Sequence, residues 1–170
     1  MHDEMAVVLI VNGRTHGLSI EPRETLAEVL RDRLSLTGVK ISCDAQVCGA
    51  CTVLIDELPV SACTFLAVDA DGRHVRTVEG LATDGRLSPL QQAFIDHAAF
   101  QCGFCTSGML MTATVLLEEQ PHPTPEEVVR GLEGNLCRCT GYAPIVTAVL
   151  AAAAGNTGTP SSAPVSEAER

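Results

Sequence analysis

Large aromatic side chains are scarce in this sequence of 170 residues, which contains no Trp, one Tyr and four Phe. Aromatic burial therefore contributes little to any core, although 46% of the residues are hydrophobic. A chain of this length forms one ordinary domain or two small ones. Small domains with light cores often depend on bound metals or covalent cross-links for their stability.

Basic residues are also few, with 11 Lys and Arg against 21 Asp and Glu and a net charge of −10. Binding to nucleic acid depends on clustered Lys and Arg side chains, so we expect no nucleic-acid partner. An acidic surface suits simple solubility or contact with a basic patch on another protein.

Long hydrophobic runs are missing. A membrane helix needs roughly 20 apolar residues, whereas the stretch Ile145 to Ala154 is about half that length and includes Thr147. The N-terminus also lacks the basic and apolar regions of a secretory signal. We therefore expect a cytoplasmic protein without a membrane span, in which eight cysteines indicate metal or redox chemistry rather than structural disulfides.

Catalytic motifs are missing as well. The sequence contains no G-x-S-x-G, P-loop or dinucleotide-binding fingerprint, and its five His do not pair at metal-ligand spacing. We expect any substrate chemistry to take place on another chain.

The first half of the chain alternates short extended runs with turns. Asn12-Gly13 after the apolar run Val7 to Val11 predicts a β-hairpin. The capping box Thr25-Leu-Ala-Glu28 predicts a short amphipathic helix that ends at Gly38. Together with extended runs at Thr52 to Ile55, Val60 to Cys63 and Val75 to Val78, these features predict a small α+β domain over residues 5–82.

The second half is predicted to be helical. Helix starts at Ser88-Pro89 and Thr124-Pro125 combine a hydroxyl cap with proline at the first helical position. The first of these helices extends to Phe100, Met109 to Leu117 is a strongly apolar helix, and Pro144 to Ala154 is the last. Short links favour a four-helix bundle over residues 88–154, and residues 155–170 are predicted to be a disordered tail.

The first group of cysteines is Cys43-x4-Cys48-x2-Cys51-x11-Cys63. Its opening matches the plant-type ferredoxin spacing for a [2Fe–2S] cluster, in which four thiolates converge on two bridged irons. Only eleven residues separate Cys51 from Cys63, so the likeness to a plant ferredoxin is confined to the loop.

The second group is Cys102-x2-Cys105-x31-Cys137-x-Cys139. The two motifs, each at a helix end, can face one another across a bundle, and Thr106 and Thr140 are candidate caps of the following helices. Structural zinc and disulfides are the alternatives for both groups. However, C-x4-C-x2-C is an unusual zinc spacing and C-x-C is tight for one.

The longer motifs around these cysteines resemble a known family. Gly38-x-Lys40-x-x-Cys43 with Val47-Cys48-Gly49-Ala50-Cys51-Thr52-Val53 is similar to the first cluster motif of the small subunits of molybdenum hydroxylases, the xanthine dehydrogenase, aldehyde oxidase and carbon monoxide dehydrogenase family. The second cluster motif of these subunits is similar to Gln101-Cys102-Gly103-Phe104-Cys105-Thr106 with Gly108-Met109 and Gly134-Asn135-Leu136-Cys137-Arg138-Cys139-Thr140-Gly141-Tyr142. The resemblance covers about residues 5 to 152.

The resemblance implies a β-grasp ferredoxin-like domain followed by a helical domain, with one [2Fe–2S] cluster on each set of four cysteines. It implies a large subunit with a molybdopterin cofactor, in its cytosine dinucleotide form, and a medium subunit with FAD, assembled as a dimer of heterotrimers. Gln101 and Cys139 match positions that contact the pterin in the family. Electrons are expected to pass from molybdenum through the helical cluster and then the plant-type cluster to FAD.

Three residues depart from the family pattern. Ser107 replaces a usual Pro, for which a hydroxyl cap is an expected substitute, and Ser42 and Gln46 replace Gly in many members. Two other functions remain as alternatives: a free-standing ferredoxin-type carrier, which the second cluster domain argues against, and a zinc-stabilised binding module.

Overall fold

The computed structural model of the chain describes residues 4–155. The first half of this range forms a mixed five-stranded sheet. Its strands are β1 (Met5–Val11), β2 (Arg14–Ile20), β3 (Thr52–Ile55), β4 (Leu58–Ser61) and β5 (His74–Arg76). They lie in the order β2-β1-β5-β3-β4, in which β1 and β5 are parallel and the other neighbours are antiparallel.

The hairpin between β1 and β2 confirms the prediction from Asn12-Gly13. These residues have φ values of 49° and 77°, the left-handed values that a two-residue hairpin turn requires. The turn fixes a register that pairs Val11 with Arg14. This register directs Leu9 and Val11 into the core, where both are buried.

The first helix, α1 (Leu26–Glu28), begins at the predicted capping box. Thr25 Oγ1 accepts a hydrogen bond from the Glu28 N–H, and the Glu28 carboxylate accepts one of 2.7 Å from the Thr25 N–H. The helix continues as a wider π-helical turn over Val29–Arg33. The prediction that it extends to Gly38 is wrong, because Ser35 has a φ of 57°, which a right-handed helix cannot contain.

The sheet and α1 enclose the first core. Leu9, Leu26, Leu30 and Ile55 are fully buried there, and Cys51 and Cys63 belong to the same cluster of side chains. Two of the predicted metal ligands are therefore held within the core of this half.

Four helices form the framework of the second half of the described chain. They are α2 (Pro89–Asp96), α3 (Thr106–Glu119), α4 (Pro125–Gly131) and α5 (Ala143–Ala153). The predicted starts of α2 and α4 are confirmed, since Ser88 and Thr124 each form a capping box and a proline follows each of them. The predicted extension of α2 to Phe100 is wrong, because Ala98 has a φ of 48°.

The second core lies among these helices. Phe94, Met109 and Ile145 are buried at its centre, where α2 packs against α5. Met111, on the same helix as Met109, is also buried. Because α3 contacts β3 and β4 as well as α2 and α4, it joins the helical half to the sheet.

The sheet and the helices α2 to α5 occupy separate stretches of the chain, which confirms the predicted α+β class. Of the tail predicted for residues 155–170, all but Gly155 lies outside the described residues. None of the helices between residues 4 and 155 has the length and apolar character that crossing a bilayer requires.

Candidate metal centres

The loop that carries the first cysteines folds its backbone around the Cys43 sulfur. Cys43 Sγ accepts hydrogen bonds from the N–H groups of Val47, at 3.3 Å, and Cys48, at 3.4 Å. The N–H groups of Val47, Ala45 and Cys48 lower the pKa of the Cys43 thiol to about 6. This setting favours the thiolate, which is the form that binds iron.

Residues with left-handed backbone conformations give this loop its shape. Asp44, Gln46 and Gly49 have φ values of 51°, 57° and 67°. Glycine adopts left-handed φ values most readily, yet Gln46 adopts one although it is not a glycine. Gln46 Oε1 also accepts a hydrogen bond of 3.2 Å from Thr64 Oγ1. Gln46, at a position where many family members have Gly, therefore connects the loop to Thr64, the residue that follows Cys63.

Cys51 and Cys63 lie at one end of the β3–β4 hairpin and are 2% and 4% exposed. Burial raises the pKa of the Cys51 thiol to about 11, and this thiol is paired with that of Cys63. The Ala62 N–H donates a hydrogen bond of 3.3 Å to the Cys51 carbonyl. The sheet therefore holds these two sulfurs side by side.

The second group of cysteines forms where the segment before α3 meets the segment before α5. The Sγ atoms of Cys102 and Cys139 are 3.4 Å apart, and both residues are exposed. Cys105 is buried; burial raises the pKa of its thiol to about 12, and the thiol is paired with that of Cys137. Each pair therefore joins one cysteine of the C-x2-C motif to one of the C-x-C motif.

Hydrogen bonds from the C-x-C segment surround Cys137. Burial disfavours its thiolate, but the Thr140 hydroxyl and the N–H groups of Thr140 and Cys139 outweigh this effect and lower the pKa of Cys137 to about 7. The Cys137 N–H donates a hydrogen bond of 2.9 Å to the Tyr142 hydroxyl. Tyr142 is the single Tyr of the chain, and its contact with a predicted ligand was not expected from the sequence.

The hydroxyl groups beside these cysteines do not act as predicted. Cys105 itself occupies the cap position of α3, so Thr106 and Ser107 lie within the first helical turn and the predicted caps are wrong. Both hydroxyl oxygens are buried and lack a hydrogen-bond partner within residues 4–155. Thr140 does not cap α5 either; its hydroxyl accepts a hydrogen bond of 3.2 Å from the Tyr142 N–H, and Tyr142 holds the cap position.

The arrangement of the thiols distinguishes between kinds of metal site. Within residues 4–155, no three His, Cys, Asp or Glu side chains gather around one point that would suit a single ion. A structural zinc ion needs four ligands around one metal, whereas a [2Fe–2S] cluster takes its thiolates in pairs, two on each iron. The pairing of the thiols therefore fits sulfur-bridged clusters better than zinc.

The two groups of cysteines are in direct contact through the backbone. The Leu136 N–H donates a hydrogen bond of 2.9 Å to the Cys48 carbonyl, and Asn135 Nδ2 donates one of 3.0 Å to the Gly49 carbonyl. Asn135 is 3% exposed and is one of the few buried polar residues. Nothing in the sequence identified Asn135 as more than part of a longer motif.

The remaining predicted site residue, Gln101, is exposed beside Cys102. Arg138, between Cys137 and Cys139, is exposed as well. The structure thus brings together the cysteines of each predicted group and places Gln101, Cys102, Arg138 and Cys139 at the surface.

Comparison with known proteins agrees with this arrangement. Residues 9–82 match the family model of the 2Fe-2S iron-sulfur cluster binding domain, and residues 77–150 match that of the [2Fe-2S] binding domain. The chain therefore carries two [2Fe–2S] binding domains.

Relatives of similar length match most of this chain. The nicotine 6-hydroxylase small subunit of Paenarthrobacter nicotinovorans is 56% identical over 87% of this chain and 89% of its own length. The nicotinate dehydrogenase small FeS subunit of Eubacterium barkeri is 45% identical over 86% of this chain and 94% of its own. A chain in the crystal structure of quinoline 2-oxidoreductase from Pseudomonas putida 86 superposes with a TM-score of 0.87 at 46% identity, covering 91% of this chain and 96% of that one. With two cluster-binding domains and relatives matched along nearly their whole length, this chain belongs to the family of small iron–sulfur subunits of the molybdenum hydroxylases.

Proposed function

We propose that this chain carries electrons from the molybdopterin centre of a large subunit, through two [2Fe–2S] clusters, to FAD on a medium subunit. The observation that carries the proposal is the gathering of eight thiols into two groups of paired sulfurs on a chain of this family. The clusters supply one-electron chemistry when bound, and the side chains of this protein hold, orient and shield them.

The pairing of the thiols supports a specific set of ligands for each cluster. We assign the first cluster to Cys43, Cys48, Cys51 and Cys63, and the second to Cys102, Cys105, Cys137 and Cys139. Within these groups the sulfurs pair as Cys43 with Cys48, Cys51 with Cys63, Cys102 with Cys139 and Cys105 with Cys137. Because each iron takes two thiolates, we assign one pair to each iron.

The exposure of residues around the second group of cysteines supports a second cluster that lies nearer than the first to the molybdopterin. Gln101, Cys102 and Cys139 are exposed, and we propose that Gln101 and Cys139 face the pterin. Apolar residues beside them in the sequence, Phe100 and Phe104, are 40% and 44% exposed. Exposed large apolar side chains on either side of the exposed Gln101 and Cys102 fit coverage of the second cluster by the large subunit.

We also propose the domain organisation of the chain, the assembly of the complex and its location. We assign residues 5–82 to a β-grasp domain and residues 88–154 to a four-helix domain, in agreement with the two separate cores. We further propose a molybdopterin cytosine dinucleotide on the large subunit, a dimer of heterotrimers and a cytoplasmic location. A zinc-stabilised module and a free carrier are not favoured, because the thiols pair as cluster ligands do and the relatives are enzyme subunits.

Anaerobic purification of the native complex tests the proposal. We expect the chain to elute with two larger subunits and to contain about four irons and four acid-labile sulfides, as two [2Fe–2S] clusters require. Reduction should produce two distinct rhombic EPR signals. Zinc without labile sulfide would overturn the proposal in favour of a binding module, and a small red-brown monomer that never associates with larger chains would favour a free carrier.

A further inference from the structure

We infer that Gly49, Gly108 and Asn135 are positioning residues that fix the separation of the two clusters and thereby the rate at which electrons pass between them. The inference rests on the proposed function, since it assigns a role to residues between the two cluster-binding groups. None of the three is a cluster ligand.

The Gly49 carbonyl lies at the centre of the contact between the two cluster-binding groups. It accepts three hydrogen bonds: 3.2 Å from the Thr52 N–H, 2.7 Å from Thr52 Oγ1 and 3.0 Å from Asn135 Nδ2. Gly49 lies between Cys48 and Cys51, and Asn135 lies two residues before Cys137. One carbonyl therefore links the loop of the first cluster to the segment that carries two ligands of the second.

Two glycines allow the backbones to approach so closely. A Cβ atom on Gly108 would overlap the Gly49 carbonyl oxygen, and one on Gly49 would overlap the carbonyl oxygen of Gly134. Gly108 is buried in the first turn of α3, three residues after Cys105. Any larger residue at position 108 must move α3 away from the first cluster loop, because the overlapping atoms belong to the backbone of that loop.

An ion pair near the C-terminal end of α3 also joins the two halves. Arg76 Nη2 on β5 lies 3.0 Å from Glu118 Oε1 on α3, and the Glu118 side chain is 49% exposed. Exposed ion pairs of this kind contribute little to stability. The contact of Gly49, Gly108 and Asn135 instead lies directly between the two cluster-binding groups, beside the hydrogen bond from the Leu136 N–H to the Cys48 carbonyl, and controls how closely these groups approach.

A glycine replacement in the complete enzyme complex tests the inference directly. Magnetic coupling between two reduced clusters falls as the inverse cube of their distance, so Gly108→Ala should reduce the splitting of the low-temperature EPR signals. It should also slow electron transfer between the clusters while the g values stay unchanged. Gly134→Ala is the matched control, because Gly134 has open space around its Cβ position and no left-handed φ. We expect Gly134→Ala to retain the coupling of the unmodified complex.

A second variant covers the case in which Gly108→Ala does not assemble. Asn135→Leu removes the donor and keeps the number of side-chain heavy atoms, while the Gly49 carbonyl retains both hydrogen bonds from Thr52. We expect reduced splitting in this variant with full iron content. Unchanged splitting and unchanged intercluster transfer in an iron-replete Asn135→Leu complex would overturn the inference. Absence of one cluster from the unmodified complex would instead overturn the proposed function, so the two failures are distinguishable.

Discussion

The backbone N–H of Leu136 donates a hydrogen bond of 2.9 Å to the carbonyl oxygen of Cys48. Cys48 is an assigned ligand of the first cluster, and Leu136 directly precedes Cys137, an assigned ligand of the second. One hydrogen bond and a few covalent bonds therefore separate the two sets of ligands. Because this hydrogen bond joins backbone atoms, replacement of the Leu136 side chain leaves it in place. The short connection between the two sets of ligands depends instead on the relative position of the two halves.

Replacement of Cys139 by Ser should affect the two clusters unequally. Cys139 is exposed and paired with Cys102, far along the chain from the first group. We expect Cys139→Ser to alter or abolish the EPR signal of the second cluster and to block reduction by substrate. The signal of the first cluster should remain after reduction with dithionite.

Cys63→Ser is the reciprocal control, since Cys63 belongs to the first core. It should impair the first signal and preserve the second. Equal loss of both signals in either variant would contradict two independent sites.

Arg138 should raise the reduction potential of the second cluster. Its exposed guanidinium lies between two assigned ligands, and a nearby positive charge stabilises the reduced, more negative cluster. Unit charges about 8 Å apart interact by about 0.5 kcal/mol in water, which corresponds to about 20 mV for one electron. Arg138→Gln should therefore lower the potential of the second cluster by about this amount in an EPR-monitored titration.

Arg130 offers a matched control, because it is also exposed but lies on α4 rather than between two assigned ligands. Arg130→Gln should shift neither potential. A shift of the first cluster instead of the second in Arg138→Gln would contradict the assignment of the ligands.

Local signals in the sequence predicted much of the fold. The hairpin at Asn12-Gly13 and the capping box at Thr25 depend on a few neighbouring residues, and both are confirmed. The errors fell at helix ends. Ser35 and Ala98 leave the right-handed region without being glycine, so neither residue type indicated where α1 and α2 end.

The sequence did not predict the features of the site that depend on contacts between residues far apart in the chain. The cysteine spacing indicated the two groups, but the pairing of Cys102 with Cys139 joins residues 37 positions apart. The contact of Asn135 with Gly49 spans 86 positions. A buried amide of this kind has no periodicity or spacing that would identify its partner, because the packing of α3 against the sheet brings the two residues together.

Removal of the clusters should lower the melting temperature. In the first cluster loop the N–H groups of Val47 and Cys48 donate to the Cys43 sulfur rather than to backbone carbonyls, so the conformation of the loop depends on what that sulfur binds. If each cluster stabilises the chain by about 3 kcal/mol, as one native cross-link does, its loss lowers the melting temperature by about 6–12 °C. Calorimetry of the holo and chelator-treated protein measures this change. Reconstitution with iron and sulfide should restore the original value, and a melting temperature independent of iron content would contradict the role of the clusters in folding.

Removal of the Tyr142 hydroxyl should perturb the second cluster alone. This hydroxyl accepts a hydrogen bond of 2.9 Å from the backbone N–H of Cys137, an assigned ligand. Tyr142→Phe therefore leaves that N–H without its acceptor. We expect a loss of about 0.5–1.5 kcal/mol in stability, typical of one hydrogen bond, and a change in the EPR line shape of the second cluster. Thr147→Val is the control, because it removes a hydroxyl on α5 whose hydrogen bond, within the described part of the chain, goes to the Ala143 carbonyl. A line shape in Tyr142→Phe identical to that of Thr147→Val would show that Tyr142 supports the fold of α5 without influencing the cluster.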